Sequence, residues 1–145
     1  MSGEQCARPL PTHPDQRERI VLAGEPQSAG AARKFAREYV LCCVPDADEG
    51  HVDMVLLVTS ELVTNSIRYG TEPGDSFALT LDSREGRTRV EVRDPVRRYP
   101  RRRPESHSRE RGRGLLILDG LCPGAWGVED AVFGKVVWAE VRATG

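Results

Sequence analysis

Residues Leu56–Gly70, LLVTSELVTNSIRYG, place Glu61 and Asn65 four residues apart within a stretch of helical apolar spacing. Four residues is slightly more than one turn, so the two polar side chains leave the same face of a helix. Val55, Leu56, Leu62, Val63 and Ile67 recur at helical spacing on the other side. On a helical wheel, at about 100° per residue, that apolar arc is centred roughly 170° from Glu61. A chain with this segment is expected to bury one helix face and present a carboxylate and a carboxamide from the opposite one. The carboxylate can take a proton from an attacking hydroxyl, and the carboxamide oxygen is a hard ligand suited to Mg²⁺. Spacing alone does not fix that chemistry, because an exposed Glu and Asn at i, i+4 are most often simply solvated.

The downstream sequence adds two features in order. Val90–Asp94 reads as a strand that ends in an acid. After a long polar loop, Gly112-Arg113-Gly114-Leu115 opens the apolar run Leu115–Leu118. Two glycines just before a helix let backbone N–H groups approach an anion, and the helix dipole adds partial positive charge there. A lone Gly-x-Gly is commonly a hinge. Its weight here comes from following an Asn on a helix and an Asp at a strand end.

Together these residues resemble the GHKL ATPase superfamily of gyrases, histidine kinases and heat-shock chaperones. More narrowly they resemble its small single-domain branch related to anti-sigma-factor serine kinases. Ser60–Gly70 (SELVTNSIRYG) is similar to the N box, and Asp94 falls where the G1 box has its adenine-binding Asp. Gly112–Leu115 matches the G2 box, and Trp126-Gly127-Val128 with Gly134–Trp138 resembles the closing hairpin. The resemblance runs from about Ser28 to Val141. It implies a two-layer α+β sandwich with a mixed, mainly antiparallel sheet covered on one face by helices. It also implies ATP and Mg²⁺ as ligands. Asn65 would hold the metal, Glu61 would act as catalytic base, and Asp94 would bind adenine. Gly112, Arg113, Gly114 and Leu115 would lie along the phosphates.

By the same resemblance the activity is transfer of the ATP γ-phosphate to a serine of an anti-sigma-factor antagonist, with sequestration of a sigma factor in its absence. Homodimers are common in this branch, and no residue decides the matter. Two departures open a rival reading. The G1 box runs Asp94-Pro95-Val96 instead of Asp-x-Gly, and Val136 stands where the closing strand usually has an adenine-holding Thr. These favour a binding module that keeps the fold, has lost efficient chemistry and acts by sequestration.

Composition sets the frame for either reading. A chain of 145 residues fits one domain with a real core. With 39% apolar and 30% charged residues it is globular in character. A net charge of −1 gives no general pull toward nucleic acid. Arginine dominates the basic residues, Lys34 and Lys135 being the lysines. Cys6, Cys42, Cys43 and Cys122 show no C-x-x-C pair and no metal-like spacing with His13, His51 or His107. No stretch reaches the roughly 18 apolar residues of a membrane span, and the start lacks an apolar signal core, so the cytoplasm is the expected compartment.

Along the chain, 1–16 reads as a disordered tail and 17–145 as a single domain. Arg19–Ala23 is expected as a short edge strand, then Ser28 as the cap of a helix over Ala29–Cys43. Phe77–Asp82 and Thr88–Asp94 should form one hairpin, and Ala125–Glu129 with Lys135–Arg142 a second, with a helix over Gly114–Leu121 between them. The loop Pro95–Arg111 holds seven arginines, at 97, 98, 101, 102, 103, 109 and 111. It reads as a solvated, extended segment, as an ATP lid by resemblance, or as a dock for an acidic partner. Nucleic acid is disfavoured, because Tyr99 is its single stacking residue.

Overall fold

The structure, a computed structural model, describes residues 16–95 and 118–143. Five strands form one sheet: β1 (Gln16–Ala23), β2 (Ser76–Arg84), β3 (Arg87–Asp94), β4 (Trp126–Ala131) and β5 (Gly134–Arg142). The order is β1-β2-β3-β5-β4, and every pairing among the described strands is antiparallel. Helices α1 (Ser28–Cys43) and α2 (Glu49–Asn65) pack on one face. This is the expected open α+β sandwich.

Alternation along the strands explains why one face takes the helices. Phe77, Leu79, Leu81, Val90, Val92, Val137, Ala139 and Val141 fall on the helix side and are all buried. Full burial of each leucine there contributes about 2 kcal/mol. The opposite face is charged. Arg89 reaches Glu91 at 2.7 Å and Glu140 at 3.4 Å, and its guanidinium lies 4.3 Å from the centre of the Trp138 ring. Gly127 opposes Trp138, and a Cβ at Gly127 would collide with that indole. Such half-exposed ion pairs contribute little energy individually, but they keep the helix-free face polar.

The two hairpin turns contrast. Between β2 and β3, Glu85 and Gly86 both adopt positive φ (51° and 78°), the pairing that matches sheet twist. Between β4 and β5 the turn is Val132-Phe133, with Phe133 at φ 63° and 86% exposed. A bulky residue in that region is strained.

Some boundaries differ from expectation. β1 is three residues longer than Arg19–Ala23 because its full length pairs with β2 at the sheet edge. Ser28 does not cap α1. It lies inside the helix and is buried, and the helix is entered through turns in which Ser28 N–H donates to the Glu25 carbonyl and Ala29 N–H to the Pro26 carbonyl. The capping side chain is found on α2 instead, where Asp48 accepts from the His51 N–H at 2.8 Å. Residues 118–121 are helical, and Gly124 at φ 71° helps turn the chain into β4.

A polar chain crosses the core at the end of the sheet away from Asp94. His51 Nε2 meets the Thr88 hydroxyl at 2.9 Å, Thr88 meets Ser83 at 2.8 Å, and the Ser83 N–H donates to the Tyr39 hydroxyl at 2.8 Å. Burial pushes the Tyr39 phenol up to about 12. Burial also lowers the His51 pKa below 6.5, outweighing the opposing pull of Asp48. In the unfolded chain His51 therefore takes up protons at higher pH than in the fold, so stability falls as pH drops below about 6.5. Urea midpoints measured between pH 5 and 8 should fall on the acid side. His51→Gln, with no titrating ring, should flatten that slope relative to the parent, and an unchanged slope would remove His51 as its cause.

Candidate functional site

The N-box helix does not continue as an α-helix to Gly70. After Asn65 it widens into a single π-helical turn, Ser66–Gly70. Such turns are rare and concentrate at functional sites. Thr71 leaves in extended conformation (φ −134°, ψ 153°), and its hydroxyl donates to the carbonyls of Ser66 and Ile67 at 3.2 Å each, tying off the turn.

This geometry brings the end of the N box against the end of β3. A Cβ at Gly70 would overlap the Asp94 carboxylate, so the absence of a side chain at 70 is what admits Asp94 there. On the other side, a Cβ at Gly134 would overlap the Asp94 carbonyl oxygen. Asp94 is 2% exposed and continues the buried register of Val90 and Val92. Its carboxylate lies 3.5 Å from the ammonium of Lys135, the residue directly opposite on β5. Two glycine cradles and one cation therefore fix this acid in place.

Asn65 is buried, and its carboxamide oxygen makes no hydrogen bond among the described residues. An oxygen in that condition is costly unless something completes it. Glu61, one turn earlier, is half-buried. These two residues were expected opposite the buried face, and that expectation is corrected. Buried positions on α2 include His51 and Thr59 as well as Val52, Val55, Val58, Leu62 and Val63, whereas Leu56 and Ile67 are only partly covered. The buried arc is thereby rotated by about 50° toward Glu61 and Asn65, at about 100° per residue. Asn65 sits at its margin. Beside Glu61, the Ser60 hydroxyl accepts from Arg33 at 3.3 Å, linking α2 to α1.

Val136 is also corrected. Directly opposed residues of an antiparallel pair share a face. Val136 opposes the exposed Arg93, and Lys135 opposes Asp94. The missing hydroxyl at Val136 therefore lies on the face away from Asp94, and the neighbour of the acid is Lys135. Sequence reasoning assigned no role to Lys135 or Gly70. The signal for Lys135 was available only once the strand register was known.

Gly112, Arg113, Gly114 and Leu115 lie outside the described residues, as does the arginine-rich loop from 96 to 111. Cys43 and Cys122 are buried and Cys42 partly so, and burial raises the Cys122 pKa away from a reactive thiolate. Among the described residues no three His, Cys, Asp or Glu side chains converge as a metal cluster. No helix among them is long and apolar enough to cross a membrane.

The sheet thus carries helices on one face, with a buried carboxamide at the end of α2 and a glycine-cradled acid at the end of β3. Residues 22–124 match the histidine kinase-like ATPase domain family. The chain belongs to that family. The match includes the N box and Asp94 and stops before the closing hairpin. No curated protein matches the chain.

Proposed function

We propose that this protein binds Mg·ATP through Asn65 and Asp94 and transfers the γ-phosphate to a serine of a partner, an anti-sigma-factor antagonist by resemblance, while sequestering a sigma factor in its absence. The observation that carries the reading is the buried Asn65 oxygen, a hard ligand without a protein partner among the described residues. The donor set fits Mg²⁺ held largely by phosphates, since Mg²⁺ usually takes one or two protein ligands and keeps water or phosphate oxygens for the rest. Bound Mg·ATP supplies the electrophilic phosphoryl group.

The chain's residues then divide the work. Asn65 holds the cation. Asp94 accepts a hydrogen bond from the base amino group, its carboxylate held by Gly70 and Lys135. Glu61 orients the acceptor hydroxyl and takes its proton, a role open to a partly exposed carboxylate. Gly112, Arg113, Gly114 and Leu115 would line the phosphates, with backbone N–H groups as donors. Self-pairing into a homodimer is compatible with this scheme and not required by it. The binding-module alternative loses one support, because Val136 faces away from Asp94.

Calorimetry with ATP, with and without Mg²⁺, tests the binding step, and phosphate transfer to the purified antagonist tests the chemistry. Glu61→Ala should retain Mg·ATP binding and lose transfer by about a hundredfold or more, the usual worth of a positioned base. Transfer retained in Glu61→Ala would remove that residue from the mechanism. Failure of the parent protein to bind even millimolar ATP would overturn the reading itself.

A further inference from the structure

Resting on that nucleotide reading, we infer that Ser66 reads adenine beside Asp94, its hydroxyl donating to a ring nitrogen that flanks the amino group. Ser66 is 2% exposed, and its Oγ has no hydrogen-bond partner among the described residues. Burying a hydroxyl in that condition is costly unless something completes it. The rest of the residue is fully used. Its N–H donates to the carbonyls of Leu62 and Val63, and its carbonyl accepts from the Thr71 hydroxyl at 3.2 Å. Gly24 packs against Thr71 from behind, where a Cβ would collide with the threonine side chain. Ser66 is therefore held rigidly, as a recognition group must be.

Its place in the turn decides what it can touch. Ser66 and Gly70 are the buried residues of the π-helical turn. Four apart on one turn, they share its inward face. Gly70 on that face meets the Asp94 carboxylate, and the turn packs on β3. The Ser66 side chain thus lies on the side of the turn that meets Asp94. An ionised carboxylate only accepts hydrogen bonds, whereas a hydroxyl also donates. Adenine presents an amino donor flanked by two ring-nitrogen acceptors, N1 and N7. Asp94 takes an amino hydrogen and can serve neither ring nitrogen. Lys135 is engaged with the Asp94 carboxylate across the strand pair, and Val136 opposes the exposed Arg93 and has no hydroxyl. Ser66 supplies the neutral donor that the acid lacks.

The test compares ATP, 1-deaza-ATP and 7-deaza-ATP by calorimetry in Mg²⁺ buffer, for the full chain and for Ser66→Ala. Each analogue replaces one flanking nitrogen with C–H and keeps the amino group for Asp94. The parent should bind one of the two analogues about tenfold more weakly than ATP, the usual worth of a hydrogen bond left unpaired on one side. Ser66→Ala should bind ATP about as weakly as the parent binds that analogue, and should bring ATP and the analogue within about threefold of each other. Because the substitution removes a hydroxyl without a partner, its thermal melt should not fall below the parent's. Three results overturn the inference while Mg·ATP binding stands: Ser66→Ala binding ATP like the parent, Ser66→Ala weakening ATP and both analogues equally, or a parent that binds all three alike. A parent that binds no ATP overturns the nucleotide reading and this inference with it.

Discussion

Replacing Asn65 with alanine is expected to abolish Mg²⁺-dependent ATP binding, with a loss of about a hundredfold or more, or ~2.7 kcal/mol. The argument begins with burial. Asn65 is 7% exposed, and its carboxamide oxygen has no hydrogen-bond partner among the described residues. In a structural role such an atom is a defect worth about 1–3 kcal/mol. Removing it should then leave stability unchanged or raise it, whereas removing a metal ligand should leave the fold intact and lose the cation. The melt therefore reports an intact fold under either role, and loss of Mg²⁺-dependent binding is what marks the ligand. Calorimetry with and without Mg²⁺, beside a thermal melt, separates the two roles. Asn65→Asp sharpens the contrast, because a carboxylate still binds Mg²⁺ but adds a buried charge that costs stability when the metal is withdrawn. If Asn65→Ala binds Mg·ATP like the parent, the carboxamide is not the ligand and the proposed site has lost its anchor.

The placement of Glu61, Asn65 and Asp94 on their elements could be read from the sequence, because it rests on local patterns. Glu61 and Asn65 at i, i+4 and Asp94 at the end of an alternating strand each required only one element to be placed. The arrangement between elements was harder to read. The apolar residues alone point the buried face away from Glu61 and Asn65, whereas His51 and Thr59 are buried with them, His51 through a hydrogen bond to a distant strand. Thr88, His51's partner, is 37 residues away. The π-helical turn left no local signature, since it follows from how Gly70 meets Asp94 and how Thr71 closes the carbonyls behind it.

Strand order and register carried the other hidden information. Both hairpins were legible from turn residues and alternation, yet neither said that β3 and β5 would be neighbours. Only that pairing decides whether Lys135 or Val136 stands beside Asp94, because a one-residue slip reverses every side chain. Val136 was weighed as a lost adenine contact, an argument from the family pattern that the register sets aside. The same register turned an unassigned lysine into the acid's partner.

Gly70→Ala should weaken nucleotide binding by at least about tenfold whether or not Mg²⁺ is present, and should cost about 1–3 kcal/mol of stability, the usual range for overpacking a filled site. The backbone at 70 is not in the left-handed region, so the added methyl meets no conformational penalty of its own. Its cost is spatial. The methyl would occupy the volume of the Asp94 carboxylate, and that carboxylate cannot simply swing aside while it is buried and held by Lys135. Asp94 must turn away from its recognition position or the end of β3 must move from the π-helical turn. Because the overlap is with a side chain, it can be relieved by shortening that side chain. Asp94→Ala in the Gly70→Ala background should therefore restore part of the lost stability, a coupling of the kind expected between residues in contact. Nucleotide binding should not return, because the base would then lack its acceptor. Gly134→Ala provides the contrast, since its methyl would meet the Asp94 carbonyl oxygen and no side-chain truncation relieves that. Recovery in the first pair without recovery in the second would show that Gly70 is kept small for the carboxylate. Additive losses in both would mean that the two elements meet less closely than this packing requires.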